Sequence, residues 1–109
     1  MKIEDIKHVT VIGAGAMGRQ IAMNTALNGR KEGYQVVLTD SFEQAVDSAK
    51  AWAAEYLNGR VDKGRITQEE ADIVSARLTF TTDVDAGVKD ADLVVEAIIE
   101  DLEIKKELF

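Results

Sequence analysis

The sequence predicts an α/β protein with a doubly wound parallel sheet, and three observations favour this class. Short, β-branched apolar segments alternate with longer segments of helical periodicity. The apolar segments are nearly continuous, as in strands buried on both faces. A glycine-rich turn separates the first strand from the first helix. We therefore expect helices on both faces of the sheet and the strand order 3-2-1-4.

The first half of the chain is predicted to form two strands and two helices. The elements are a strand at Lys7–Ile12, a helix at Ala16–Asn28, a strand at Tyr34–Asp40, and a helix that Ser41 caps and that Gly59 or Gly64 ends. Apolar residues in the second helix recur every three or four positions over about four turns. Trp52 and Tyr56 lie on this stripe, which favours core packing over substrate contact.

The second half is predicted to form one further helix, two strands and a short connection. Thr67 and Glu70 have the spacing of a capping box at the start of that helix. The other elements are a strand at Leu78–Thr82, a turn or one-turn helix at Asp83–Ala91, a buried strand at Asp92–Ile98, and a helix from Glu100. Two successive helices between strands 2 and 3 make a helical-hairpin excursion from the alternating order.

Composition restricts the function classes. With 46% apolar and 30% charged residues, the 109-residue chain has the makeup of a single soluble domain. The chain has no apolar run of membrane-spanning length and no cysteine, and its formal net charge is −7. We expect a cytoplasmic protein that binds neither nucleic acid nor membranes. The single histidine, His8, is expected to be a strand-edge residue, and no second histidine accompanies it to form a metal site.

The glycine-rich turn "GAGAMG" is the strongest functional signal. In a strand–turn–helix context, Gly13 makes the tight turn, Gly15 lets a pyrophosphate approach the backbone, and Gly18 allows close packing of helix and sheet. The segment also contains Ala14, and the amides of Ala16, Met17 and Gly18 are predicted to face phosphate oxygens. The alternative is a turn that holds no ligand.

Asp40 is predicted to select the cofactor. It lies at the end of the second strand, 22 residues after Gly18, where a dinucleotide-binding site of the Rossmann type places the carboxylate that binds the adenosine ribose. A carboxylate there repels a 2′-phosphate, so NAD is favoured over NADP. The alternative is that Asp40 only caps the following helix or is a solvated residue at the strand end.

Four segments of the chain together resemble the N-terminal domain of the 3-hydroxyacyl-CoA dehydrogenase family, near its 3-hydroxybutyryl-CoA branch. These segments are "VTVIGAGAMGRQIA", "GYQVVLTD", "DADLVVEAIIED" and "LEIKKELF". The resemblance covers essentially the whole chain. It implies an NAD-dependent interconversion of 3-hydroxyacyl-CoA and 3-oxoacyl-CoA, with 3-hydroxybutyryl-CoA and acetoacetyl-CoA as the expected pair. It also implies a homodimeric parent protein.

The resemblance assigns further cofactor residues. Gly13 to Gly18 would hold the pyrophosphate and Asp40 the ribose, while Ala97 and Glu100 would lie along the nicotinamide side and Lys105 would be another cofactor contact. The paired helices resemble an arm that touches coenzyme A, and Lys63 matches a CoA-contacting position. The alternatives are a helix-start carboxylate for Glu100 and exposed surface lysines for Lys105 and Lys63.

The sequence departs from the family pattern in two ways. Compared with the family pattern, four residues are inserted around Arg30–Gly33, in a loop expected to lie away from the cofactor. The chain also stops before the family's catalytic histidine. We therefore expect cofactor binding without turnover, and an exposed apolar patch through which the chain can self-associate. Two other functions stay open, a stand-alone module that binds NAD or another adenine nucleotide, and a related NAD-dependent sugar-acid dehydrogenase.

Overall fold

A computed structural model describes residues 7–29 and 33–97. These residues form four strands and four helices in the predicted alternating order. The elements are β1 (His8–Ile12), α1 (Ala16–Asn28), β2 (Gln35–Thr39), α2 (Glu43–Asp62), α3 (Gln68–Arg77), β3 (Leu78–Thr81), α4 (Val84–Lys89) and β4 (Leu93–Glu96). The helix predicted from Glu100, and the residues Arg30–Glu32 of the apparent insertion, lie outside the described residues.

The strands form one parallel sheet in the order β3-β2-β1-β4, which confirms the predicted order. β2 lies on one side of β1 and β3 lies beyond it, while β4 lies on the other side of β1. The chain therefore moves outward from β1 in one direction and then returns to its other side. This arrangement brings the carboxyl ends of β1, β2 and β4 together at one edge of the sheet.

The main core lies on the face of the sheet that α1, α2 and α3 cover. Side chains alternate between the faces of a strand, so Val11, Val36 and Leu38 share this face and are completely buried. Met23 of α1 and Val74 of α3 are buried in the same region. The central strands thus have the buried environment that their apolar sequences predict.

The helix α4 covers the opposite face. The Thr10 hydroxyl donates a hydrogen bond to the carbonyl oxygen of Gly87 at 2.5 Å. A Cβ placed on Gly87 would lie 3.4 Å from the Thr39 side chain. The segment predicted as a turn or one-turn helix forms this six-residue helix. The Asp83 carboxylate caps it by accepting from the Ala86 N–H at 3.0 Å.

The helical hairpin between β2 and β3 is confirmed as α2 and α3. The predicted capping box is present, because the Thr67 hydroxyl accepts from the Glu70 N–H and the Glu70 carboxylate accepts from the Thr67 N–H. α2 continues through Gly59 and ends before Gly64, whose φ of 71° lies in the left-handed region that favours glycine. Trp52 packs against the core, as predicted.

Two local predictions were wrong. Ser41 does not cap α2, because Phe42 is the N-cap residue and makes no side-chain capping bond. The carboxylate of Asp40 accepts from the Phe42 N–H, and α2 begins at Glu43, one residue later than a Ser41 cap would place it. The apolar segment at Asp92–Ile98 does not form a buried strand within the described residues, since Leu93 and Val94 are 45% and 42% exposed. Within residues 7–29 and 33–97, β4 is the last strand of the sheet, as the predicted strand order implies, whereas its continuous apolar sequence is typical of a buried strand.

Among the residues that the structure describes, none of the helices has the length and apolar character needed to span a bilayer.

Candidate functional site

The glycine-rich turn connects the carboxyl end of β1 to α1. Gly13 has a φ of 108°, a conformation that a residue with a Cβ rarely adopts. Its N–H donates to the Thr39 carbonyl oxygen at 2.8 Å, so the turn starts while the chain is still paired with β2. Gly13 therefore makes the tight turn predicted for it.

Gly18 allows the first turn of α1 to lie directly against Gly13. A Cβ on Gly18 would be 1.6 Å from the carbonyl oxygen of Gly13 and 2.8 Å from its carbonyl carbon. The same Cβ would lie 3.5 Å from the Cβ of Ala97, the residue after β4. Any side chain at position 18 would have to push the turn and the helix apart.

Gly15 has the opposite environment. A Cβ built on Gly15 would find no heavy atom within 4 Å. Its φ of −71° is accessible to any residue, so backbone conformation does not require glycine here. The open space beside its backbone is what the close approach of a ligand requires.

The amino end of α1 is suited to an anion. Gly15 is the N-cap residue and supplies no side-chain acceptor, and the first turn contains no acidic residue. The first backbone N–H groups of a helix have no partner within the helix and carry a partial positive charge. Ala16 and Met17 are exposed at this end. The segment predicted to hold phosphate is therefore open to solvent and electropositive.

Asp40 lies beside this turn, as the sequence predicts. One carboxylate oxygen, Oδ2, accepts from the Ala14 N–H at 2.9 Å, and the other, Oδ1, accepts from the Phe42 N–H at 3.0 Å. The second bond joins Asp40 to the N-cap residue of the following helix, which is the contact expected if Asp40 caps that helix. The first bond was not predicted, because it depends on a register that pairs Ile12 with Thr39 and that no local motif encodes.

The remaining predicted site residues fall in three places. Ala97 is buried at the end of β4, where its N–H donates to the Ile12 carbonyl oxygen at 2.8 Å. Lys63 is exposed and follows the last residue of α2, at the connection between the hairpin helices. Glu100 and Lys105 lie outside the described residues.

Sequence reasoning did not identify Arg19 as part of the site region. This residue follows Gly18, and its guanidinium carbon lies 5.6 Å from the centre of the Trp52 ring. The Trp52 and Tyr56 rings are 4.9 Å apart, centre to centre. The cation–π contact thus joins the helix of the glycine turn to the hairpin. The signal in the sequence that could have indicated Arg19 is its position one helical turn after Gly15, the N-cap residue of α1.

The opposite end of the sheet has a different set of polar groups. Asp92 accepts from the N–H groups of Lys7 and His8 at 2.8 and 3.0 Å, and these backbone bonds lower the pKa of its carboxyl below the usual value. The His8 ring lies 3.6 Å from the same carboxylate. No group of three or more His, Asp or Glu side chains arranged for metal binding occurs in residues 7–29 and 33–97.

Comparisons with known proteins agree with this geometry. Residues 8–109 match the family model described as 3-hydroxyacyl-CoA dehydrogenase, NAD binding domain. The mitochondrial hydroxyacyl-coenzyme A dehydrogenase of Rattus norvegicus is 40% identical over 95% of this chain and 33% of its own length. A 3-hydroxybutyryl-CoA dehydrogenase of Mycobacterium tuberculosis is 35% identical over 95% of this chain and 35% of its own length.

A solved structure gives the same result in three dimensions. The crystal structure of 3-hydroxybutyryl-CoA dehydrogenase from Escherichia coli superimposes with a TM-score of 0.80 at 40% sequence identity, over 96% of this chain and 21% of that protein. The chain therefore spans about a third or less of the length of these relatives.

Proposed function

The chain belongs to the 3-hydroxyacyl-CoA dehydrogenase family, and from this premise we propose that it binds NAD for the interconversion of 3-hydroxyacyl-CoA and 3-oxoacyl-CoA. NAD is the cofactor that the matching family domain binds. The proposed substrate pair is 3-hydroxybutyryl-CoA and acetoacetyl-CoA, since two of the similar proteins carry the name 3-hydroxybutyryl-CoA dehydrogenase. The proposed domain comprises residues 1–109.

The observation that carries the proposal is the open space at Gly15 beside the amino end of α1. A pyrophosphate needs to approach the backbone closely, and it needs N–H donors that are not already used. The open position Gly15 and the exposed residues Ala16 and Met17 meet these requirements, and the whole segment Gly13, Ala14, Gly15, Ala16, Met17 and Gly18 would hold the pyrophosphate.

Asp40 would bind the hydroxyl groups of the adenosine ribose. It is half-buried at the carboxyl end of β2, next to the glycine turn. A 2′-phosphate at the same place would meet a carboxylate of like charge, which favours NAD over NADP.

Ala97 would lie along the nicotinamide side, together with Glu100, and Lys105 would be a further cofactor contact. The support for Ala97 is its position at the end of β4, beside the first turn of α1. Lys63 would contact coenzyme A. Its exposed cation at the end of α2 is compatible with an anionic phosphate.

The bound cofactor would supply the hydride acceptor for oxidation at the carbon that carries the substrate hydroxyl. This step also needs a general base for the hydroxyl proton. The sequence contains one histidine, His8, and it lies at the amino end of β1, at the opposite edge from the glycine turn. We propose no catalytic residue within this chain and expect no turnover by the chain alone.

A matched pair of glycine variants tests the proposal. Gly15 and Gly59 both have open space for a Cβ, so alanine at either position leaves the fold intact. In calorimetric titrations we expect Gly15→Ala to weaken NADH binding at least about tenfold, because its methyl group occupies the approach to the backbone. Gly59→Ala serves as the control, and we expect it to bind NADH like the wild type.

Absence of NADH binding by the wild-type chain would refute the cofactor site. Stronger binding of NADPH than of NADH would refute the role given to Asp40. Oxidation of 3-hydroxybutyryl-CoA by this chain alone would show that it contains a base we have not assigned.

The location and assembly of the protein stay predictions. We propose a cytoplasmic location, although the similar rat protein is named as mitochondrial. The proposed partner is the acyl-CoA substrate, and a homodimeric parent protein is also expected. The exposed Leu93 and Val94 of β4 support self-association of this chain.

A further inference from the structure

The hydrogen bonds between β1 and β2 continue beyond the last backbone pair of the two strands. Ile12 pairs with Thr39, and the Gly13 N–H donates to the Thr39 carbonyl oxygen at 2.8 Å. The next amide along the chain, that of Ala14, donates to a side chain, the Oδ2 atom of Asp40, at 2.9 Å. The carboxylate of Asp40 thus extends the strand pairing by one bond into the glycine turn.

Burial makes this bond important. Ala14 is only 2% exposed, so its N–H has little access to water and depends on a protein acceptor. The acceptor is an ionisable carboxylate, which makes a stronger bond than a neutral carbonyl when it carries its charge. The second oxygen of Asp40 accepts from the Phe42 N–H at 3.0 Å. Both oxygens are therefore fixed, and so is the orientation of the carboxylate.

Ala14 lies between the turn residue Gly13 and the open position Gly15. The orientation of the Ala14 peptide determines where the chain enters α1, and hence where the first N–H groups of that helix point. We propose that Asp40 is a positioning residue for the phosphate-binding turn, in addition to its proposed contact with the ribose. This inference rests on the proposed function, because it assigns a second role at the same site.

The two roles are compatible within one carboxylate. Its two oxygens offer about four acceptor positions, and the amides of Ala14 and Phe42 use two of them. The other two positions suffice for two ribose hydroxyl groups. The ribose can therefore bind without displacing the bond that positions the turn.

The two roles can be separated with a cofactor analogue. NADH and its 2′,3′-dideoxyadenosine analogue differ in the hydroxyl groups that Asp40 would bind, while both carry the pyrophosphate. If Asp40 positions the turn, Asp40→Ala weakens binding of the dideoxy analogue roughly tenfold. Asp40→Asn retains one acceptor oxygen for the Ala14 N–H, while its NH2 group would face the Phe42 N–H, so we expect a loss for the analogue that is smaller than that of Asp40→Ala.

The matched control is Asp92→Ala, which removes a carboxylate that also accepts two backbone N–H groups but lies at the other end of the sheet. We expect it to bind both ligands like the wild type. If Asp40→Ala does not fold, the exchange rate of the Ala14 amide hydrogen in the ligand-free wild type decides the question. Protection of that hydrogen supports the positioning role, and exchange at the rate of an unstructured peptide overturns it.

The outcomes separate the two proposals. Wild-type affinity of Asp40→Ala for the dideoxy analogue, together with weaker NADH binding, would leave Asp40 as a ribose contact and overturn the positioning role. Failure of the wild-type chain to bind either ligand would overturn the proposed cofactor site itself, and the positioning role with it.

Discussion

The two ends of the sheet each have an aspartate that accepts two backbone N–H groups. At the carboxyl end, Asp40 binds the amides of Ala14 and Phe42, and at the amino end Asp92 binds those of Lys7 and His8. The local chemistry is nearly the same. The surroundings differ, because Asp40 lies beside the glycine turn and the amino end of α1, whereas Asp92 lies where strands begin.

This comparison shows that the position of a carboxylate in the sheet decides what it can do. In parallel α/β sheets, the carboxyl ends of the strands border the crevice where ligands bind, and helix amino ends face it. At the amino ends of the strands, the same bonds join β1 to the chain that enters β4. A carboxylate there stabilises the fold, and one at the carboxyl end can also face a ligand.

The largest effect expected at the carboxyl end comes from Gly18→Ala. The added Cβ would overlap the Gly13 carbonyl group, which is backbone and cannot rotate away. We expect a loss of about 3 kcal/mol in the free energy of unfolding, measured in urea, and loss of NADH binding. The control is Gly59→Ala, which has open space within α2 and should stabilise the helix by about 0.5–1 kcal/mol. Equal stability of the two variants would contradict close packing at the turn.

A smaller effect is expected for Asp40→Ala. The substitution leaves the buried Ala14 N–H without its acceptor, and an unsatisfied buried group costs about 1–3 kcal/mol. Urea unfolding of this variant and of Asp92→Ala tests the comparison between the two ends. We expect the larger loss at Asp40, because its partner is buried while the groups around Asp92 are exposed. A larger loss of unfolding free energy for Asp92→Ala than for Asp40→Ala would contradict the greater importance that we give to the Asp40 bond.

The smallest effect is a pH dependence at the amino end. In the folded chain, the hydrogen bonds from the backbone N–H groups of Lys7 and His8 lower the pKa of the Asp92 carboxyl below its ordinary value of 3.8. A carboxylate with a lowered folded pKa stabilises the fold above its unfolded pKa, and this stabilisation is lost as the pH falls through the folded value. Asp92→Asn should therefore be less stable than the wild type at neutral pH, with the difference shrinking in acid.

Thermal unfolding between about pH 2 and pH 7 measures this dependence. Glu55→Gln, which changes an exposed carboxylate within α2, is the matched control. A difference between Asp92→Asn and wild type that stays constant with pH would show that the charge of Asp92 does not stabilise the fold.

Much of the fold follows from local sequence. The helix Ala16–Asn28 has the predicted bounds, and the capping box at Thr67 and Glu70 forms as predicted. These features depend on residues only a few positions apart. The strand order also follows, because the handedness of the crossovers leaves few arrangements of alternating elements.

The errors and omissions have different causes, and one of them involves residues that are distant in sequence. The apolar pattern of β4 predicts a buried strand, but Leu93 and Val94 are exposed in a strand that the predicted order places last in the sheet, so the pattern and the strand order gave conflicting predictions. The bond from Ala14 to Asp40 joins residues 26 positions apart and depends on strand register. The cap of α2 was assigned to Ser41 because serine is a common N-cap residue, but Asp40 accepts from the Phe42 N–H two residues on, a second local pattern that competes with the first.

The strand order has a consequence for how the protein is synthesised. β1 is translated first among the strands and pairs with β2 on one side, but its other side pairs with β4, from which it is separated by most of the chain. The bond from the His8 N–H to Asp92 spans 84 residues. Long-range pairing of this kind forms late, because the intervening chain must first be ordered. A nascent chain on the ribosome therefore keeps one edge of its central strand unpaired until β4 has emerged, and over that interval the edge is a target for chaperones and for aggregation.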